Sequence, residues 1–246
     1  MAASDNEILS LDHISKVFGS NFVLRDISLE VQKGETVTIL GKSGTGKSVI
    51  LKCAVGLLSL DSGTVTVFGK NIAESNEKEL KEIRKKIGFL FQSGALYDSM
   101  TVRGNLQFPL LRSGNHIDKK EMDRKVDEAL NNVGLPDAID KIPSELSGGM
   151  KKRIGLARTL MLDPEIILYD EPTTGLDPAT SREISSLILK MQQKLGVTSV
   201  VVTHDMLCTK LVSDRIVILK EGIFFKEGTY SELEYSDDEF VKGFFE

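Results

Sequence analysis

The sequence predicts an α/β fold built on an open, largely parallel sheet, and three stretches predict it. The glycine-rich octet Gly41-Lys42-Ser43-Gly44-Thr45-Gly46-Lys47-Ser48 follows an apolar run, Thr36 to Leu40, and opens a helix-like segment, Val49 to Leu58. Ile166-Ile167-Leu168-Tyr169 and Val197 to Thr203 read as strands buried on both faces, the pattern of parallel strands. Each of these runs ends in polar residues, where an open α/β sheet binds its ligands.

The octet has the spacing G-x-x-x-x-G-K-[ST] of the Walker A phosphate loop. A strand feeding a glycine loop that opens a helix aims backbone N–H groups at one point, and the helix terminus adds partial positive charge. Glycines let the backbone close around phosphates without a Cβ in the way. Lys47 can reach the β- and γ-phosphates, and the Ser48 hydroxyl can ligate Mg²⁺. The bland alternative is a Gly/Ser turn before an ordinary helix.

The chain of 246 residues is long enough for one large α/β domain or a core with a sizeable insertion. At 41% hydrophobic it can bury a real core. A formal net charge of −5 with interspersed signs argues against a nucleic-acid-binding stripe. Cys53 and Cys208 lie far apart with no metal or redox spacing, so they read as reduced, buried side chains. No apolar run is long enough to span a bilayer, and Met1 to Glu7 lacks the features of a signal peptide. The expectation is a soluble chain that reaches a membrane only through a partner.

Ile8 to Phe18 and Val23 to Val31 alternate with period two and predict an antiparallel flap beside the core. Phe18 is either a core aromatic at a strand end or a flat face for an adenine ring. Thr64 to Phe68 alternates again, and Glu74 to Lys86 predicts a solvated helix. Ile87 to Phe91 predicts a short strand that ends at Gln92, whose amide oxygen can ligate Mg²⁺ or hold a water. From Ser93 to Asn115 the periodicity blurs, with Gly94, Gly104, Pro109 and Gly114 as breakers. That stretch is nonetheless apolar, either core or a docking surface. Lys119 to Val133 predicts an amphipathic helix closed by Gly134. Leu146-Ser147-Gly148-Gly149-Met150 predicts a helix start with Ser147 as cap, and its free N–H groups can face an anion. Asp170 and Glu171 end the strand from Glu165. Adjacent acids there call for a cation or water, with Asp170 placed for Mg²⁺ and Glu171 for polarising a water. Asp177-Pro178 turns into a helix, and His204 ends the strand from Val197. Ile216 to Lys226 predicts a hairpin. The tail, Tyr230 to Glu246, packs on its own core or on a second subunit.

These motifs, in this order, resemble the ATP-binding cassette (ABC) ATPases over nearly the whole chain. Walker A is Gly41 to Ser48, the Q-loop residue Gln92, the signature Leu146 to Met150, Walker B Asp170 and Glu171, the D-loop Asp177 and the switch histidine His204. Phe18 matches the A-loop aromatic. Met150 replaces the usual glutamine of the signature and leaves the donors of Ser147, Gly148 and Gly149 in place. Phe91 to Tyr97, Pro143 to Met150 and Asp238 to Phe245 are similar to the ATPase subunit of the maintenance-of-lipid-asymmetry (Mla) branch.

The resemblance implies a RecA-like P-loop NTPase core (1–92 and 161–246) with an antiparallel β subdomain and an inserted α-helical subdomain (93–160). It implies a homodimer that sandwiches two ATP–Mg²⁺ between Walker A of one copy and Ser147-Gly148-Gly149 of the other. Catalysis falls to Glu171, His204 and Lys47. Nucleotide contacts fall to Phe18, Gly41, Lys42, Ser43, Gly44, Thr45, Gly46, Lys47, Ser48, Gln92, Ser147, Gly148, Gly149 and Asp177. Metal contacts fall to Ser48, Gln92 and Asp170. The implied partners are an integral membrane permease docking near Ser93 to Leu111 and an MCE-domain lipid-transport protein, with a small cytoplasmic regulator left open and no nucleic acid. The implied place is the cytoplasmic face of a bacterial inner membrane. Import of amino acids or metal chelates, and a non-transport role in envelope or division control, stay open beside phospholipid transport.

Overall fold

The computed structural model describes residues 6–114 and 116–246. The chain opens with strands β1 (Glu7–Phe18), β2 (Asn21–Gln32) and β3 (Thr36–Leu40), then helix α1 (Lys47–Ala54). Strands β4 (Ser62–Val67) and β5 (Lys70–Asn71) precede α2 (Glu77–Lys85) and β6 (Ile87–Leu90). Helices α3 (Val102–Arg112), α4 (Lys119–Asn132) and α5 (Gly148–Thr159) follow. Then come β7 (Ile166–Asp170), α6 (Pro178–Leu195), β8 (Thr198–Thr203), α7 (Met206–Val212), β9 (Arg215–Lys220), β10 (Ile223–Gly228), α8 (Tyr230–Glu234) and α9 (Glu239–Lys242).

Two sheets organise these elements. The first is antiparallel, in the order β2-β1-β4-β5. Its inward residues, Leu9, Leu11, Ile27, Leu29 and Val31, carry the period-two pattern seen in the sequence, and Leu11 pairs with Leu29. The second runs β10-β9-β3-β8-β7-β6, parallel except for the β9–β10 hairpin. Every residue of β3, β7 and β8 is buried, because helices or the other sheet cover both faces. Register places the site: Leu40 lies beside Thr203, and Val202 beside Asp170. Gly41, Glu171 and His204 therefore leave three adjacent strands at one level.

One core cluster joins the antiparallel sheet and α1 to the parallel sheet through Leu9, Ile27, Ile50, Leu51, Ile39 and Val202. A second joins α3, α4 and α5 through Leu106, Val126, Leu130 and Ile154. A third seats α6 and α7 on the far side of the sheet through Tyr169, Ile184, Ile188 and Cys208. The tail packs on its own chain, with Val241 and Leu233 against Leu40, Ile216 and Ile218. Among the described residues no helix is long and apolar enough to cross a membrane.

Two segments differ from expectation. The helix after the phosphate loop begins at Lys47 and stops at Ala54, because Gly56 turns the chain into the left-handed region (φ 67°). The stretch 93–114 is not irregular throughout, since α3 occupies 102–112 with Pro109 inside it. Thr101 caps that helix through Gly104 N, and buried Asn105 ties the preceding loop to it. The Asn105 side chain accepts from Tyr97 N at 2.7 Å and donates to the carbonyls of Tyr97, Met100 and Thr101. These tertiary bonds offset the hydrogen bond that proline removes. Asn115 lies outside the described residues.

Candidate active site at the strand ends

The loop between β3 and α1 sets the site. Gly46 takes φ 99°, and a Cβ there would lie 2.7 Å from Val23 Cγ1, so glycine answers both the conformation and the close approach of β2. Lys47 is the first residue of α1 and only 4% exposed. Its ammonium donates to Gly41 O at 2.8 Å and Lys42 O at 3.0 Å and pairs with Glu171 Oε1 at 3.0 Å. Three donors thus meet three oxygens, the condition under which a buried ammonium is tolerated. At the next residue, Ser48 Oγ donates to Asp170 Oδ1 at 2.6 Å across to the end of β7.

Glu171 is the centre of this arrangement. Its backbone sits at φ 49°, a region most side chains avoid, and its N–H bonds Val202 O at 2.9 Å. Oε1 faces Lys47. Oε2 accepts from Thr174 Oγ1 at 2.9 Å and meets His204 Nδ1 at 2.9 Å. A carboxylate only accepts, so Nδ1 carries the hydrogen and a neutral ring keeps Nε2 as an acceptor. Lys152 on α5 reaches the same residue from behind and donates to Glu171 O at 3.0 Å. Burial pushes the Lys152 amine down to about 8, while Asp170 and Glu171 act to raise it.

A cleft of about 400 Å³ opens over the loop, lined by Phe18, Val23, Ser43, Gly44, Gly46, Lys47, Ser48, Val49, Gln92, Glu171, Thr174 and His204. Phe18 is 46% exposed at its rim, with Lys16 Nζ 5.4 Å from the ring centroid. The sequence-predicted residues Phe18, Ser43, Gly44, Gly46, Lys47, Ser48, Gln92, Glu171 and His204 therefore share one cavity, while Gly41, Lys42, Thr45 and Asp170 lie beside it without lining it. Ser147, Gly148, Gly149 and Asp177 do not line it. They form a second patch where α5 and α6 begin together, since a Cβ on Gly149 would lie 2.5 Å from Thr180 Cγ2. Ser147 caps α5 through Met150 N at 3.2 Å, and Asp177 caps α6 through Ala179 N and Thr180 N, each at 3.0 Å. The Thr180 hydroxyl and the backbone N–H groups hold the Asp177 carboxyl below the usual carboxylate range.

The family described as "ABC transporter" matches residues 24–174, which hold the phosphate loop, the signature and both Walker B acids. The chain belongs to the ABC transporter family. A methionine import ATP-binding protein MetN from Clostridium acetobutylicum is 40% identical over 92% of this chain and 70% of its own length. A probable ribonucleotide transport ATP-binding protein mkl from Mycobacterium leprae is 42% identical over 94% of this chain and 66% of its own. The chain thus spans about two thirds of these relatives. Among solved structures, the dimeric ATP-binding cassette MJ0796 in a post-hydrolysis state with ADP and Pi superposes with a TM-score of 0.83 at 32% identity, covering 90% of this chain and 98% of that one. The cbiO1 protein of Clostridium perfringens, part of the transporter complex cbiONQ, gives 0.84 at 31% identity, covering 93% and 91%. The fold is that of ABC ATPase cassettes, and this ABC transporter chain is an ATP-binding subunit with ATPase activity. Sequence reasoning missed Lys152, Thr174 and Thr203 around Glu171. One signal was available for the first: a lysine among the apolar residues of α5's inward face.

Proposed function

We propose that two copies of this chain close face to face on ATP and drive a membrane permease, with Glu171 positioning the attacking water. The observation that carries this reading is the split site. The phosphate-loop cleft holds Lys47, Ser48, Glu171 and His204, while the N–H donors of Ser147 to Gly149 lie on a separate patch. A second copy brings that patch over the open side of the cleft and completes the cage around the γ-phosphate. The donor set suits Mg²⁺: a hydroxyl, a carboxylate and an amide oxygen are hard oxygen ligands. Ser48 and Asp170, already 2.6 Å apart, would hold the ion with Gln92. Bound there, Mg²⁺ neutralises phosphate charge. The chain's own groups do the rest. Lys47 exchanges loop carbonyls for phosphate oxygens. Glu171 is released from Lys47 to accept a hydrogen bond or proton from water. His204 gives Nδ1–H to Glu171, so donating to phosphate as well requires the doubly protonated ring. Phe18 offers its exposed face to the base, Asp177 lies at the junction of the two copies, and residues 93–160 act as a helical subdomain between nucleotide and permease.

The test is Glu171→Gln. It removes a charge and keeps the shape, so turnover falls at least about a hundredfold while ATP stays bound and a dimer accumulates on size exclusion. Turnover near the native rate in that variant would remove Glu171 from its role.

For the cargo we propose phospholipid carried with MCE-domain partners at the cytoplasmic face of an inner membrane. The support is the likeness of 91–97, 143–150 and 238–245 to the Mla branch. Amino-acid import is the second reading, favoured by the 40% identity to MetN. Co-purification from membranes separates them: a permease with an MCE protein supports the first, and a permease with a substrate-binding protein for amino acids supports the second.

A further inference from the structure

Lys152 is out of place on α5. It is 6% exposed on a helix face that also buries Gly149 and Leu156. Burying an ammonium is costly, and a methionine would fill the same stem volume without that cost. Its contact is specific: Nζ donates to the backbone carbonyl of Glu171 at 3.0 Å. That carbonyl belongs to a residue held at φ 49°. Thr174 N also reaches it, at a longer 3.3 Å. The helix that carries Lys152 is itself anchored. At its far end Arg158 donates to Ala95 O at 2.7 Å, and in its first turn the Lys151 carbonyl lies so near Gly94 that a Cβ there would meet it at 3.2 Å. At its near end Ser147 to Gly149 form the donor patch.

We propose that Lys152 is a positioning residue for hydrolysis: from the signature helix it holds the Glu171 carbonyl, and with it the left-handed backbone that aims the carboxylate at the cleft. The proposal rests on the reading of Glu171 as the water-positioning group. It makes α5 a rigid link between the patch that serves the partner copy's nucleotide and the glutamate that serves its own. Side-chain rotation alone cannot replace this hold, because the aim of Glu171 starts from its φ.

The test uses the full chain and steady-state ATP hydrolysis with Lys152→Met and Lys152→Gln. Methionine keeps the stem and removes the donor, while glutamine restores a neutral donor. With Lys152→Met, kcat falls roughly ten- to a hundredfold, the scale of one hydrogen bond from a charged group, while KM for ATP stays within about twofold. Lys152→Gln recovers most of the lost kcat. Native kcat in Lys152→Met overturns the proposal. So does an equal loss in both variants, which makes the charge and not the donated bond the requirement, or failure of Lys152→Met to fold, which assigns the lysine to stability alone. Glu171→Gln separates the two levels. If it is inert while Lys152→Met is native, only the lysine's role falls. If it turns over at the native rate, both readings fall.

Discussion

His13 and Asp26 face each other across β1 and β2, and both take left-handed backbone, at φ 49° and 55°. Their side chains meet at 2.7 Å between Nδ1 and Oδ1. The hydrogen bond to Asp26, then the charges of Asp26 and Asp12, raise the histidine above its ordinary 6.5. A raised histidine favours the folded state fully below the unfolded value and loses that contribution as pH rises through the folded value. The pair therefore contributes fully below pH 6.5 and loses that contribution as pH rises through the raised folded value. Proton NMR of the imidazole should show a midpoint above 6.5 that returns toward it in Asp26→Asn. A midpoint at or below the ordinary value in the native chain would show that the contact carries no charge coupling. At this scale the sequence was most readable where function packs residues into one local motif. Gly41 to Ser48 and Asp170-Glu171 stand out because the proposed phosphate and water chemistry calls for those types at fixed spacing. Lys152 lies nineteen residues from Glu171, and nothing local ties the two, so only the fold reveals the contact.

Elements were legible where one period dominated. The strands β1, β2 and β9, the helix α4, the cap residue Ser147 and the turn into a helix at Asp177-Pro178 stand close to where the pattern puts them. The helix α3 was hidden because its stability comes from elsewhere: Asn105 and the packing of Leu106 and Leu110 on α4 and α5 outweigh Pro109. Bulges are equally invisible in a hydrophobic pattern. At Leu11 to Ile14 the pairing of β1 with β2 shifts register, and β4 crosses that irregularity at Gly63. Gly63 sits at φ 84°, and a Cβ there would lie 2.3 Å from His13 O and 2.6 Å from Asp12 O. Backbone cannot yield as a side chain can. Gly63→Ala should therefore cost at least about 2 kcal/mol from conformation and clash together. Thermal unfolding checks this. A melting temperature unchanged within a degree would mean that β4 can slide away from the bulge freely.

At the scale of the molecule, the phosphate loop is supported from below as well as lined from above. Leu40 ends β3 one residue before Gly41, and its buried neighbours include Ile218 on β9 and Val241 on α9. Above Val241, Phe240 lies 5.8 Å from the Lys42 ammonium and 4.2 Å from that of Lys220, so the tail touches the loop itself. The tail thus packs under and beside the glycine loop, although it lines none of the cleft. Val241→Asp places a carboxylate among the buried apolar side chains of Leu40, Ile216 and Leu233. It should cost roughly 3 kcal/mol, lowering the melting temperature by about 6–12 °C in a chain of this size. ATP affinity should fall alongside, because the strand that aims the loop loses its seat. Val241→Ala should lose about 1–2 kcal/mol and keep most of its affinity, since the seat shrinks without charging. Native ATP affinity in a folded Val241→Asp variant would uncouple tail from loop and leave α9 as mere cover for the sheet.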